Sequence, residues 1–344
     1  MATILFALVF LCASVFAGES PIAGGTLRVG SQRDLSVLNP FLNTRSFDHN
    51  LRTLIYESLL SDIDYKIVPN LAESWQISKD SREYTFNLRK GVVFHDGKPM
   101  TSEDVRWSFE YTMNPKNRAY GRANLPEGLS VETPDPSTVR VRIKEPFAPF
   151  LATLASLQSF PIVPSGSLQI GDQPKLFPPG TGPYRFEEWQ RGNRILLKQS
   201  PHYWKKGIPH IDTIVVRPVP DDEVRFAALR SGDVDLAERI PNQHVDAIRK
   251  GKYGDLQIAL AEGASMKGVI FNVPAPPFND VRLRQAFAYA INKEEIIEAA
   301  YWGLATAVSQ KEKPSSPWYF PVPERKRDLE KARALMKIDR KSVV

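Results

Sequence analysis

Five histidines, His49, His95, His202, His210 and His244, are the obvious candidates for metal binding or proton transfer. No two stand at the helical or hairpin spacing that would aim both rings at one ion. His95 lies in Phe94-His95-Asp96-Gly97 and reads as part of a turn. Serine and aspartate are plentiful, but neither a nucleophile elbow nor a triad signature is present. Pro179-Gly180-Thr181-Gly182-Pro183-Tyr184 invites comparison with a phosphate loop. No Lys-Ser/Thr pair follows it and no third glycine completes a dinucleotide fingerprint, so a tight turn leading into a strand is expected. The paired carboxylates Asp221-Asp222 read as a helix cap. These residues predict no catalytic group, no metal site and no cofactor.

The elements around them are clearer. Tyr84, Phe86 and Leu88 alternate with Thr85, Asn87 and Arg89, the period of a half-buried strand. Asp96-Gly97 is a turn pair. Thr101 with Asp104 predicts a capped helix, with Val105, Ser108, Phe109 and Thr112 on its inner side and Pro115 as its stop. Leu27 and Val29 mark a first strand, and Val139, Val141 and Ile143 another. Strands are also expected over 194–198 and 211–217, and an apolar helix over 50–60. Asp222 is expected to cap a helix that Gly232 ends. In the last third, Val269 to Val273 reads as an apolar strand. Asp280 caps a helix with a stripe of Leu283, Phe287, Ala290 and Ile291. Asn292 with Glu295 opens another helix, and 328–337 is a short amphipathic one.

A chain of 344 residues with 24% charged and 42% hydrophobic residues has the composition of a globular protein of two or more domains. The net charge of +6 is spread among acidic neighbours, as in Pro323-Glu324-Arg325-Lys326-Arg327-Asp328, so no nucleic-acid partner is expected. The 28 prolines punctuate short, ordered connections. Ile4 to Phe16 followed by Ala17 reads as an export signal over 1–17, too short for a secure membrane span. Cleavage after Ala17 would remove Cys12, the single cysteine, which is an alternative lipidation site.

Six blocks, in order, resemble the family 5 extracellular solute-binding proteins of ABC importers. They are Leu71-Ala72-Glu73-Ser74-Trp75, the stretch from Tyr84 to Val105, Gly180-Thr181-Gly182-Pro183-Tyr184, His202-Tyr203-Trp204, the run from Phe226 to Asp235, and Phe271-Asn272-Val273 with Pro277 to Ala286. The resemblance covers roughly Gly24 to Leu304 and implies an α/β, two-lobed periplasmic-binding-protein-like clamp of the large peptide-binding subclass. Lobe I would comprise 24–50 and 179–263, with a β-rich subdomain inserted at 51–178, and lobe II would begin at 264. Members usually run beyond 500 residues, so the resemblance implies an incomplete second lobe over 264–344 and weak or no ligand binding by this chain alone.

The family role implied is capture of di- or oligopeptides and delivery to a membrane ABC permease. The protein would be a periplasmic or extracellular monomer without enzymatic activity. Nickel, heme or an oligosaccharide are alternative ligands; an exported α/β hydrolase and a non-functional truncated product are alternative readings. By position in the family, the ligand contacts implied are Tyr120, after the signature helix, then Thr44, Arg45 and Ser46, in the loop after the first strand, and Asn272.

Overall fold

The computed structural model describes residues 22–42, 46–168, 177–260, 267–310, 312 and 316–337. The expected export segment, Cys12, Thr44 and Arg45 lie outside them. The chain divides into two compact units, Met1–Ile240 and Pro241–Val344.

The first unit is built on two sheets and a hairpin. Strands β1 (Thr26–Ser31), β8 (Tyr184–Gln190), β9 (Arg194–Gln199), β10 (Thr213–Pro218) and β11 (Leu236–Ala237) form a mixed sheet in the order β11-β1-β10-β9-β8. Both neighbours of β1 run parallel to it. β2 (Leu60–Ile63) and β3 (Lys66–Pro69) form the hairpin. A second, antiparallel sheet has the order β4-β5-β7-β6, from β4 (Ala72–Ile77), β5 (Glu83–Leu88), β6 (Ser130–Asp135) and β7 (Thr138–Arg142).

The period-two pattern of β5 does what it predicts. Tyr84, Phe86 and Leu88 are buried in one cluster with Val139 and Val141 of β7 and with Val105 and Phe109 of helix α2 (Ser102–Met113). Each such side chain contributes about 1.5–3 kcal/mol by leaving water. Ahead of α2, the Asp104 carboxylate accepts the Thr101 amide at 2.7 Å, and its other oxygen takes the Ser165 amide at 2.8 Å. The cap therefore also anchors a distant segment. A separate cluster lies against the mixed sheet. It joins Val29, Ile195, Leu197, Ile214 and Val216 to Leu51, Leu54 and Ile55 of helix α1 (Ser46–Ile55).

Helix α1 corrects the expectation of a helix over 50–60. It starts earlier and stops at Ile55, because the Ile55 carbonyl accepts the Gly182 amide and the Glu57 carbonyl accepts the Ile162 amide. Leu60 then opens β2. Gly180 and Gly182 are required at this crossing. A Cβ on Gly180 would lie 1.8 Å from the Ile55 carbonyl oxygen, and one on Gly182 would lie 2.6 Å from that of Leu54.

His95 locks the two sequence signatures together. Its amide donates to the Gly180 carbonyl at 2.9 Å, its Nδ1 accepts the Gly180 amide at 3.3 Å, and its Nε2 lies 2.9 Å from the Gly182 carbonyl. Glu57 makes a second joint to the same turn. It is 6% exposed and accepts from Thr181 Oγ1 at 3.0 Å, Trp204 Nε1 at 2.8 Å and Tyr203 Oη at 3.3 Å. Lys205 Nζ stands 4.0 Å away.

After β10, helix α4 (Asp222–Ser231) follows α3 (Phe150–Ala155) in the helix order. Its cap is Asp221, which accepts the Val224 amide at 2.9 Å, rather than Asp222. Asp222 sits in the first turn and pairs with Arg225. Gly232 ends the helix in the left-handed region, as its sequence position predicts.

The second unit, by itself, carries α5 (Val245–Arg249), α6 (Val281–Ala290), α7 (Lys293–Tyr301) and α8 (Leu329–Met336). Asp280, Asn292 and Asp328 cap the last three. Two expectations fail here. Val269 to Val273 is not a strand, and Ile270 is 96% exposed; among the described residues no strand of this unit lies beside it to accept its backbone bonds. The α6 stripe is not the buried face either: Phe287 is 41% exposed, and the buried residue is Ala286. Phe287 meets the ring of Phe271 edge-on, with centroids 5.5 Å apart, and is left partly open to solvent.

Candidate functional site

In an open α/β sheet the strand ends that matter for binding are the carboxyl ends of parallel strands, where the exit loops diverge and leave a crevice. Here that edge is formed by β1 and β10, whose last residues Ser31 and Pro218 are paired. An open hollow of about 670 Å³ lies there. It is lined by Gln32 to Ser36 after β1, Pro220 after β10, and Arg191 in the turn between β8 and β9.

The loop after β1 is held from several sides. Ser31 Oγ donates to the Arg33 carbonyl at 2.8 Å. Asp34 gathers three N–H donors: its neighbour Leu35 at 2.8 Å, Trp189 Nε1 at 3.0 Å and the Gly192 amide at 2.7 Å. It thereby ties the β1 loop to the β8–β9 turn. Ser36 donates through its amide and hydroxyl to Asp48 of α1. Beneath the loop, fully buried Arg52 donates to the carbonyls of Pro40 at 3.2 Å and Leu42 at 2.9 Å. Burial draws its guanidinium down to about 10, against the pull of Tyr56 and Asp48. Burial, helped by the Arg52 charge, pushes His49 down to about 4, so this imidazole is neutral near pH 7.

A second buried arginine supports the β10 exit in the same way. Arg225 donates to the carbonyls of Val219 and Glu238, each at 2.6 Å. Two interior guanidiniums thus fix two loops through backbone carbonyls; in the loop after β1, Leu35, Val37, Leu38 and Phe41 are buried, and Arg33 and Ser36 are exposed.

Of the expected contacts, Tyr120 comes to this loop. Its amide donates to the Phe41 carbonyl at 2.8 Å, its side chain is 39% exposed, and Phe41 packs on Tyr111 with ring centroids 4.6 Å apart. Ser46 opens α1. Asn272 lies in the second unit, exposed in an irregular segment, its carbonyl accepting the Ala275 amide. The residues that sequence reasoning passed over are Arg33, Asp34, Arg52 and Arg191. Only the position of Arg33 and Asp34 just after a predicted strand could have marked them. Among the described residues, no group of three or more His, Cys, Asp or Glu could hold a metal ion.

Comparison with known proteins agrees with this architecture. Residues 66–339 match the model of the bacterial extracellular solute-binding proteins, family 5 Middle. The glutathione-binding protein GsiB of Salmonella choleraesuis is 31% identical over 330 residues, covering 94% of this chain and 63% of that protein. The chain therefore spans less than two thirds of that curated relative's length. Among solved structures, the binding protein AgaA of A. tumefaciens R10 in complex with agropinic acid is 31% identical with a TM-score of 0.75, covering 91% of this chain and 64% of that one. DppA of Helicobacter pylori in complex with the peptide STSA is 28% identical with a TM-score of 0.78, over 92% of this chain and 66% of that one. The fold is α/β and periplasmic-binding-protein-like, and the chain belongs to the bacterial extracellular solute-binding proteins, family 5.

Proposed function

We propose that this protein captures small peptide-like solutes outside the cytoplasm for delivery to an ABC permease, and catalyses no reaction. The observation that carries the reading is the braced hollow at the carboxyl ends of β1 and β10. Its rim presents hydrogen-bonding and charged side chains, while its backbone is tied by the Ser31 hydroxyl, by Asp34 and, beside Pro220, by Arg225 on the Val219 carbonyl. Such a site binds by replacing the water of a polar ligand with preplaced partners. The ligands of the relatives favour the same class: glutathione for GsiB and the peptide STSA for DppA. Thr44, Arg45 and Ser46, between β1 and α1 or at the start of α1, and Tyr120, after α2, are candidate contacts, and Asn272 is a separate candidate in the second unit. Residues 1–17 are proposed to serve as the export signal.

The test is an NMR titration of the full chain carrying 15N-labelled tryptophan, because the Trp189 indole N–H is bonded to Asp34 at the hollow. Glutathione and a set of di- and tripeptides are added to about 10 mM, tenfold above a Kd near 1 mM, or about −4 kcal/mol. A saturable shift of the Trp189 resonance without breakdown of the peptide is expected. No shift with any peptide, or hydrolysis of one, would overturn the reading.

A further inference from the structure

Two arginines stand at the hollow in a setting unlike that of their neighbours. Arg33 immediately precedes Asp34, and Arg191 immediately precedes Gly192, whose amide Asp34 accepts at 2.7 Å. One carboxylate therefore clamps together the two backbone segments that present these side chains. The Arg33 backbone is fixed again by the Ser31 hydroxyl. Arg191 also lies over the Trp189 ring, 5.4 Å from its centroid, and Asp34 fixes that ring through its N–H. Both arginines line the hollow.

The other charges of the β8–β9 hairpin are neutralised within it. Arg194 pairs with Glu188 at 2.9 Å, and Arg185 and Lys198 pair with Glu187 at 3.0 and 3.4 Å. Among the described residues, neither Arg33 nor Arg191 has a carboxylate partner. Asp34 is directed instead at three neutral N–H groups. The lining thus carries two guanidiniums and one carboxylate, with the carboxylate already engaged. A planar guanidinium offers paired N–H donors that match a carboxylate, and fixing its backbone beforehand lowers the ordering cost of binding.

We propose that Arg33 and Arg191 form a carboxylate-accepting rim, so that the solute captured here presents an acidic group to this hollow. This deepens the receptor reading and rests on it for its biological meaning. The acidic group is either a peptide's terminal carboxylate or an acidic side chain.

The experiment uses the full chain and the Trp189 indole resonance, first with succinate as probe. Succinate is expected to shift the resonance saturably, while succinamide, its neutral diamide, does not. The Arg33→Gln/Arg191→Gln double variant, checked for an unchanged melting temperature, is expected to weaken the succinate response at least fivefold. Raising NaCl weakens the wild-type response as well, because the rim is exposed to screening. Ala-Ala against Ala-Ala amide then reports a terminal carboxylate, and Glu-Ala amide reports an acidic side chain. A wild-type chain that does not respond to succinate, responds equally to succinamide, or keeps its response in the double variant would overturn the proposal. A succinate response without any peptide response would leave the anion site standing and overturn the receptor reading.

Discussion

Replacing Glu57 with alanine should unfold this protein more readily than any surface change. The side chain is buried and receives the hydroxyl of Thr181, the indole N–H of Trp204 and the phenol of Tyr203. Removing it strands the buried Thr181 hydroxyl and the half-buried donors of Trp204 and Tyr203, each costing up to roughly 1–3 kcal/mol. Their losses overlap because one acceptor serves all three, so the total should be about 3–5 kcal/mol, the usual range for breaking a buried charged contact. Against a typical stability of about 5–15 kcal/mol, that is a large fraction. Glu57→Gln keeps one acceptor oxygen and should cost about 1–2 kcal/mol. The pH dependence separates the two variants. Burial raises the Glu57 pKa above the usual glutamate value, although Trp204, Lys205, Thr181 and Tyr203 all pull it down. The folded state therefore holds a proton that the unfolded state has released. Stability from this group is full below the unfolded value near 4.3 and declines as pH rises toward the higher folded value. Glutamine does not titrate, so its disadvantage relative to glutamate should narrow as pH rises from 4 upward. Urea unfolding of the three proteins from pH 4 to 8 measures both effects. An alanine variant within about 1 kcal/mol of the wild type would refute the claim that this carboxylate holds the joint together.

Two further changes probe the same crossing. Gly182→Ala forces a methyl group to 2.6 Å from the Leu54 carbonyl oxygen, and should cost about 1–3 kcal/mol or more in urea unfolding, since backbone on both sides must move. Burial holds His95 below the usual histidine range, against the bond to Gly182 and the charge of Asp96. The stability this neutral ring supplies is present above about pH 6.5 and is lost as pH falls toward its lower folded pKa. Thermal melts between pH 7.5 and 5 should show a slope that His95→Gln reduces.

Much of the fold was legible wherever a local rule and the tertiary environment agree. Tyr84, Phe86 and Leu88 alternate because β5 has one buried face, Asp280 and Asn292 cap helices because their side chains reach orphaned amides, and at Thr101 the Asp104 carboxylate reaches back to the cap amide. The reading failed where a residue's partner is remote. Val269 to Val273 has the composition of a strand, yet among the described residues no strand beside it in its unit completes the pairing. The stop of α1 at Ile55 is set by glycines more than a hundred residues later. For the candidate site, family resemblance pointed to the segment after β1, and the Tyr120 amide bonds Phe41 of that segment, outside the lining of the hollow. Arg33, Asp34 and Arg191 were silent because a charged residue in a turn looks the same from sequence whether it faces bulk water or a hollow. Glu57 was silent for the opposite reason, since a lone glutamate ordinarily signals surface.

The position of β1 between β11 and β10 also fixes when its pairing can be completed. Its two neighbours are β10 and β11, and Arg28 reaches Asp235 across 207 residues of sequence. Nothing synthesised earlier can complete the pairing. At about 5–20 residues per second on the ribosome, the first strand waits on the order of ten to forty seconds for its partners. The architecture thus postpones closure of this sheet until most of the first unit has been made.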